Sequence, residues 1–415
     1  MEFFVDCLGA SREVGRSAFM VHTDKNFLLD YGIKIFDASG QPTYPLGAPV
    51  KPDFAILSHA HLDHSGSLPI LYNKHKIHWY ATPPTVDICE LLWKDNMKIM
   101  GDALPYGVPE YKKALKAWTP LLDGQTMQTG DTRIGMRDAG HIAGASMVEV
   151  EYNDRVFLYT GDFKCGDTHM HKGAKFVKDV DVLMIETTYY NREHPPRREL
   201  EAQFMEGIRE TLENGGNVLL PSFALGRTQE LIATIRKHDK DVPVYVDGMG
   251  RDISKIYLKY PNYIRDAASF GKALRSVNLI EDMSGRKLAT RNPSVIISTS
   301  GMMNGGPVLD YLFNLNSKSK LVFTGYCVEG TNGWTLQNEG YITKDEQQLQ
   351  VDMPVEYMDF SAHAGRADLL AFIKNANPEK VLLVHGDNPQ EFAKELKEQH
   401  GYNALAPLPG ERVML

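Results

Sequence analysis

Residues Leu57-Ser58-His59-Ala60-His61-Leu62-Asp63-His64-Ser65-Gly66 place three histidines and an aspartate within six positions. Imidazole suits zinc, iron and manganese, and a carboxylate favours harder ions, so the mixture points to a hydrolytic metal centre. In an extended strand His59, His61 and Asp63 would share one face and His64 would take the other. A turn at a strand end can aim all four into one cavity, and the apolar run 54–57 is short enough to be that strand. A polar loop with chance histidines is the bland alternative, but grouping these side chains without a partner is unfavourable.

Other candidates stand at the ends of further apolar runs. Asp30 follows 27–29, where a carboxylate could cap a turn or orient a histidine from behind. His141 lies between Gly140 and Gly144, which permit close backbone approach. Asp162 ends the run 156–159 within Gly161-Asp162, and Glu186 ends the run 182–185. Ser361 and His363 fall in Phe360-Ser361-Ala362-His363-Ala364-Gly365, ahead of a helical pattern with Leu369, Leu370 and Ile373. His385 follows the apolar run 381–384. His75, His78, His169 and His171 have no ligand-rich neighbours and read as ordinary strand or loop residues.

The elements around these residues can be sketched in order. Strands are expected near 3–5, 17–21, 27–29 and 77–82, a helix from about 67, and helical patterning over 85–118. After Pro195-Pro196, Leu200, Phe204, Ile208 and Leu212 recur at four-residue spacing and end at Gly215-Gly216, as a helix does. Strands at 218–220, 244–246, 294–298 and 321–323 then alternate with helices around 228–237 and 253–260. That alternation implies a parallel, Rossmann-like layer. Neither G-x-G-x-x-G nor G-x-x-x-x-G-K-[ST] occurs, so no dinucleotide or ATP site is expected. The glycine-rich stretch 301–307 fits a plain turn and an approach to a phosphate backbone equally well.

The whole chain sets bounds. Its 415 residues allow two or three domains, and 43% hydrophobic with 24% charged residues is ordinary for a globular protein. No apolar run approaches the ~18 residues that span a bilayer, and the first six residues carry acidic groups where a signal peptide carries positive charge. The four cysteines are scattered, as in a reduced cytoplasmic protein. The net charge of −8 argues mildly against indiscriminate nucleic-acid binding. It does not exclude a nuclease, because bound cations restore positive charge locally.

The H-x-H-x-D-H pattern resembles the signature of the metallo-β-lactamase fold. With His141, Asp162, Glu186-Thr187-Thr188-Tyr189, Ser361-Ala362-His363-Ala364-Gly365 and Val384-His385-Gly386-Asp387, nearly the whole chain resembles the β-CASP ribonucleases. Residues 221–230 look like that family's insert. Ser58 through His64 and Ser300-Gly301-Met302 look closer to the cleavage-and-polyadenylation nuclease and its archaeal relatives than to bacterial RNase J. The start at a hydrolase strand is similar to the shorter type without KH domains.

The resemblance implies an α/β fold, a metallo-β-lactamase αββα sandwich with an inserted Rossmann-like β-CASP domain. The sandwich would be split between 1–189 and 336–415, with the insert at 190–335. It implies two Zn2+ per chain, with Mn2+ as the alternative. His59, His61 and His141 would hold one ion, Asp63, His64 and His385 the other, and Asp162 both. Asp30 and Glu186 would orient ligands from behind, Glu186, His363 and His385 standing at three strand ends. His363 would be the proton donor, and Ser361 would hold it or the scissile phosphate. The substrate would be single-stranded RNA, admitted by a narrow groove under the insert and cut to 5′-phosphate and 3′-hydroxyl ends by endonuclease action, 5′–3′ exonuclease action or both. A cytoplasmic protein, no membrane and a homodimer complete the expectation. The rivals are a hydrolase of small esters or thioesters and a catalytically silent RNA-processing scaffold.

Overall fold

The computed structural model describes residues 2–35 and 41–415. The chain divides into two compact units, one of residues 1–167, 173–193 and 363–415, the other of residues 168–172 and 194–362.

The first unit is built on two seven-stranded sheets. One runs in the order Arg412–Met414, Phe4–Cys7, Phe19–His22, Asn26–Leu29, Phe54–Ile56, His78–Ala81, Trp118–Pro120. The other runs Ala404–Leu405, Lys380–Val384, Val182–Glu186, Arg155–Tyr159, Ser146–Tyr152, Thr132–Asp138, Thr126–Thr129. Alternate residues of the strands point to one face. Val5, Cys7, Phe19, Val21, Phe27 and Ile56 of the first sheet therefore meet Ile134, Met136, Val148, Phe157, Met184 and Leu382 of the second in one buried core. Helices carry the outer faces; Pro83–Met100 buries Trp93 against Trp79, and Arg366–Ala376 buries Phe372 against Phe163.

Parallel pairing decides where the chemistry collects. Asn26–Leu29 runs parallel to Phe54–Ile56, with Leu29 beside Ile56. Arg155–Tyr159, Val182–Glu186 and Lys380–Val384 are parallel neighbours, with Tyr159 beside Met184 and Glu186 beside Val384. Parallel strands end at the same edge of a sheet, so the residues that follow them gather there.

The second unit holds a six-stranded sheet, every pairing parallel, in the order Asn278–Ile280, Val244–Asp247, Val295–Ser298, Val218–Pro221, Lys320–Phe323, Val355–Tyr357. This is the Rossmann-like layer expected from the alternation of strands and helices. Helix Arg197–Glu213 buries Leu200, Phe204 and Ile208, the four-spaced stripe of the sequence.

Local readings needed correction. The helix expected from about 67 is a 3-10 turn, Leu68–Asn73, with Pro69 at its start. The patterning of 85–118 belongs to two helices, Pro83–Met100 and Val108–Lys116, and Trp118 already begins a strand. Helices Ala267–Arg275 and Met283–Arg291, and the hairpin Tyr341–Lys344 with Gln347–Gln350, had no clear periodic signal.

Candidate metal centre

The loop after Phe54–Ile56 turns through residues 57–61 into the single helical turn Leu62–Ser65, which carries Asp63 and His64. Its main chain is zipped to residues 17 and 31–33: Ser17 N–H donates to Asp63 O, Tyr31 N–H to His64 O and Ile33 N–H to Leu62 O, at 2.7, 2.8 and 2.9 Å. Gly32 makes this approach possible, because a Cβ there would lie 1.7 Å from the Asp63 carbonyl oxygen.

The predicted ligands converge in two groups that share Asp162: His59, His61, His141 and Asp162, and Asp63, His64, His385 and Asp162. In the first, His61 Nδ1 lies 3.1 Å from both His59 Nε2 and His141 Nε2, and Asp162 Oδ2 lies 3.5 Å from His59 Nε2 and 3.8 Å from His141 Nε2. In the second, Asp162 Oδ1 lies 3.3 Å from His64 Nε2 and from His385 Nδ1, and His385 Nε2 lies 3.2 Å from Asp63 Oδ2. Tetrahedral ligands at ~2.1 Å from an ion stand ~3.4 Å apart, so this spacing fits metal ligation. Asp162 Oδ1 is buried without a well-aligned hydrogen bond and faces the His64 and His385 ring nitrogens, a setting that an ion between them would satisfy.

The electrostatics divide the two groups: burial would lower His64 and His385, but the carboxylates of Asp162 and Asp63 raise both, whereas the rings of the first group are lowered. Burial, joined by the neighbouring histidine charges, holds His59 well below the ordinary imidazole value, and burial holds His61 at about 4. Both rings therefore keep lone pairs for a cation at neutral pH. Burial alone would raise Asp162, but His385, His64 and His363 hold it well below the ordinary carboxylate value.

Asp30 is fully buried and takes four hydrogen bonds: Oδ1 from Ser58 N–H at 2.7 Å, and Oδ2 from Ser58 Oγ at 2.7 Å and from His64 Nδ1 and Tyr159 Oη at 2.8 Å. Ser58 Oγ also lies 3.0 Å from His59 Nδ1. One carboxylate thus orients His64 directly and His59 through Ser58, with the far nitrogen of each ring turned to the cluster. Asp30 and His385 adopt positive φ, +57° and +48°, a sparsely populated region for residues other than glycine.

Glu186 lies beside Asp162 and His363. Its Oε1 faces His363 Nδ1 at 3.0 Å and accepts from Phe163 N–H at 3.2 Å, while Oε2 accepts from Thr188 N–H at 3.2 Å. It orients His363 and the adjoining main chain. His363 is not at a strand end but in the turn before helix Arg366–Ala376; Glu186 is the last residue of strand Val182–Glu186, and His385 directly follows Lys380–Val384. Burial would lower His363, but the carboxylates of Glu186 and Asp162 raise it to about 9. Its ring lies 4.7 Å from that of His141. Ser361 is buried in the second unit, its N–H donating to Asp359 Oδ1 at 3.2 Å.

Sequence reading missed a second polar cluster. His169 Nε2 and His238 Nε2 lie 3.0 and 2.7 Å from the two oxygens of buried Glu201. Arg197 bonds both Glu201 and Glu230 at 2.5 Å, and the main-chain N–H groups of His169 and Met170 donate to Glu230 at 3.0 Å. The carboxylates are already satisfied by cationic and main-chain donors, which marks an ion-pair network inside the second unit. The signal available was Arg197 and Glu201 one helical turn apart.

Comparison with known proteins was consistent across the chain. Residues 12–174 match the model of the metallo-beta-lactamase superfamily, 228–336 the Beta-Casp domain, and 348–407 the Zn-dependent metallo-hydrolase RNA specificity domain. The chain is 35% identical to a "Probable RNase MJ4" of Methanocaldococcus jannaschii over 98% of this chain and 99% of that protein. It is 34% identical to "RNase aCSPSF2" of Saccharolobus solfataricus over 100% and 86%. It is 33% identical to "Transcription termination factor FttA" of Methanothermobacter thermautotrophicus over 98% and 71%. A crystal structure of a protein of unknown function from Enterococcus faecalis V583 matches all of both chains with a TM-score of 0.64 at 15% identity, a likeness of fold.

Proposed function

The chain belongs to the β-CASP family of metallo-β-lactamase-fold hydrolases, and from that membership we propose that it is a two-metal ribonuclease acting on single-stranded RNA. The observation that carries this reading is Asp162, whose two oxygens face two separate groups of buried ligands. His59, His61 and His141 hold one ion, Asp63, His64 and His385 the other, and Asp162 spans both. Zinc suits the five imidazoles; manganese suits the two carboxylates. When bound, two such ions supply water activation at neutral pH and neutralise charge on a phosphodiester.

The protein's own residues account for the rest. Asp30 fixes the ring orientations of His64 and, through Ser58, His59. His363, its ring held by Glu186 Oε1 at 3.0 Å, can deliver a proton to the departing 3′ oxygen. The products are a 5′-phosphate and a 3′-hydroxyl. Among the described residues no helix is long and apolar enough to cross a membrane, and the unpaired cysteines suit a reducing cytoplasm.

The test is incubation of metal-loaded protein with 5′-labelled and with 3′-labelled RNA. Cleavage that chelator abolishes and that leaves ends open to a 5′-phosphate-dependent nuclease is expected. The two product ladders separate endonuclease from 5′–3′ exonuclease action. Hydrolysis of a generic ester or thioester with RNA left intact would overturn the reading.

A further inference from the structure

The peptide unit that joins His363 to Ala364 is held at both of its polar atoms by two consecutive residues. Ala364 N–H donates to Phe163 O at 2.7 Å, and Lys164 Nζ donates to His363 O at 3.0 Å. The C=O and N–H of a trans peptide point in opposite directions, so bonds at both ends fix the orientation of the plane. The His363 side chain hangs from that plane. Phe163 and Lys164 directly follow Asp162, the carboxylate common to both ligand groups. Lys164 is itself tethered, its N–H donating to Ala139 O at 3.0 Å and its carbonyl accepting from Ala174 N–H at 2.7 Å.

We infer that Lys164 is a positioning residue for the reaction: its ammonium holds the His363 carbonyl and thereby aims the proton donor at the site Asp162 defines. The inference rests on the proton-donor reading of His363. Ordering a long lysine side chain costs rotamer entropy, so a half-buried ammonium placed on the His363 carbonyl implies a compensating role. The remaining supports of the turn leave this one in place. Glu186 takes the ring nitrogen, and Tyr189 sets its ring edge-on to His363 at 5.9 Å while bridging to Gly365.

The experiment compares Lys164→Met, which keeps the aliphatic stem, and Lys164→Gln, which keeps a neutral donor, with His363→Ala and with the Lys164→Met/His363→Ala double variant. All are full-length, metal-loaded and checked for metal content and melting temperature. Displacing a catalytic group by ~1 Å can slow turnover ~100-fold, so Lys164→Met should lower kcat on RNA about 10- to 100-fold with KM unchanged. The loss should shrink on an activated aryl phosphodiester, and Lys164→Gln should recover part of it. The double variant should be no slower than His363→Ala, because a residue that acts only through His363 has nothing left to position.

A raised KM with unchanged kcat would overturn the inference and mark Lys164 as a phosphate contact. Losses that add fully in the double variant would overturn it as an independent effect. Full turnover by His363→Ala would instead refute the proton-donor reading, and the role of Lys164 with it. If Lys164→Met misfolds, Lys164→Gln carries the same comparison.

Discussion

Asp30→Asn is the sharpest perturbation of the centre that replaces no proposed ligand. The carboxylate of Asp30 accepts four hydrogen bonds, one at Oδ1 and three at Oδ2. Asparagine has one acceptor oxygen and one donor amide. If its oxygen takes the place of Oδ2, its amide meets the Ser58 N–H donor to donor; if the amide takes that place, three donors clash. At least one buried group is left unsatisfied in either case, at ~1–3 kcal/mol each. Loss of a residue that orients a metal-bound histidine weakens metal binding ~10- to 100-fold, or ~1.4–2.7 kcal/mol. Competition of the loaded protein with a chromophoric chelator should therefore show both ions released at lower chelator concentration than in the wild type, the ion held by His64 first. Urea unfolding of chelator-treated protein should shift to a lower midpoint. Wild-type affinity for both ions in a normally folded Asp30→Asn protein would refute the claim that Asp30 orients the ligand histidines.

Asp162→Ala should lower occupancy of both positions together, and elemental analysis showing two equivalents with normal cleavage would count against a shared ligand. His363→Ala should keep both ions while turnover on RNA falls ~10²- to 10⁴-fold; loss of an ion would make it a ligand. Gly32→Ala must push the Asp63 carbonyl away, since its Cβ would sit 1.7 Å from that oxygen, and should release the ion held by Asp63 and His64 as read by metal analysis. Arg197→Met concerns the second unit. Burial alone would raise Glu201 and Glu230, but the hydrogen bonds from His169, His238 and Arg197 hold Glu201 below its ordinary 4.5, and the charge of Arg197 does the same for Glu230. Depressed carboxyls contribute stability that is present above pH 4.5 and lost as pH falls through the folded values. The variant should lose ~3 kcal/mol at neutral pH and show a shallower acid limb, measured by denaturant titration across pH.

The residues that sequence made legible are those whose chemistry is local. The spacing from His59 to His64 follows directly from the order of residues, because four donors within six positions share one turn wherever the fold puts it. The stripe of Leu200, Phe204 and Ile208 named its helix because 3.6-residue periodicity is a property of the segment itself. The helices Ala267–Arg275 and Met283–Arg291 stayed hidden because their apolar faces are short and tertiary packing outweighs propensity there.

Where the distant ligands go was a different matter. His141, Asp162 and His385 were placed by resemblance; for the last two, nothing in the order of residues says that the strands before them end at one edge. Parallel pairing of Arg155–Tyr159, Val182–Glu186 and Lys380–Val384 decides that. The same applies to the partners. From sequence Glu186 could have backed a metal ligand, and Lys164 carried no signal. Only the folded turn before Arg366–Ala376 gives Glu186 to His363 and the Lys164 ammonium to its carbonyl. Sequence by itself determined which groups can bind a cation and where the strongly periodic segments lie, because both depend on side-chain chemistry and short-range spacing. Tertiary structure alone decided which group orients which, because a hydrogen bond reaches about 3 Å and the partners Lys164 and His363 lie 199 residues apart along the chain.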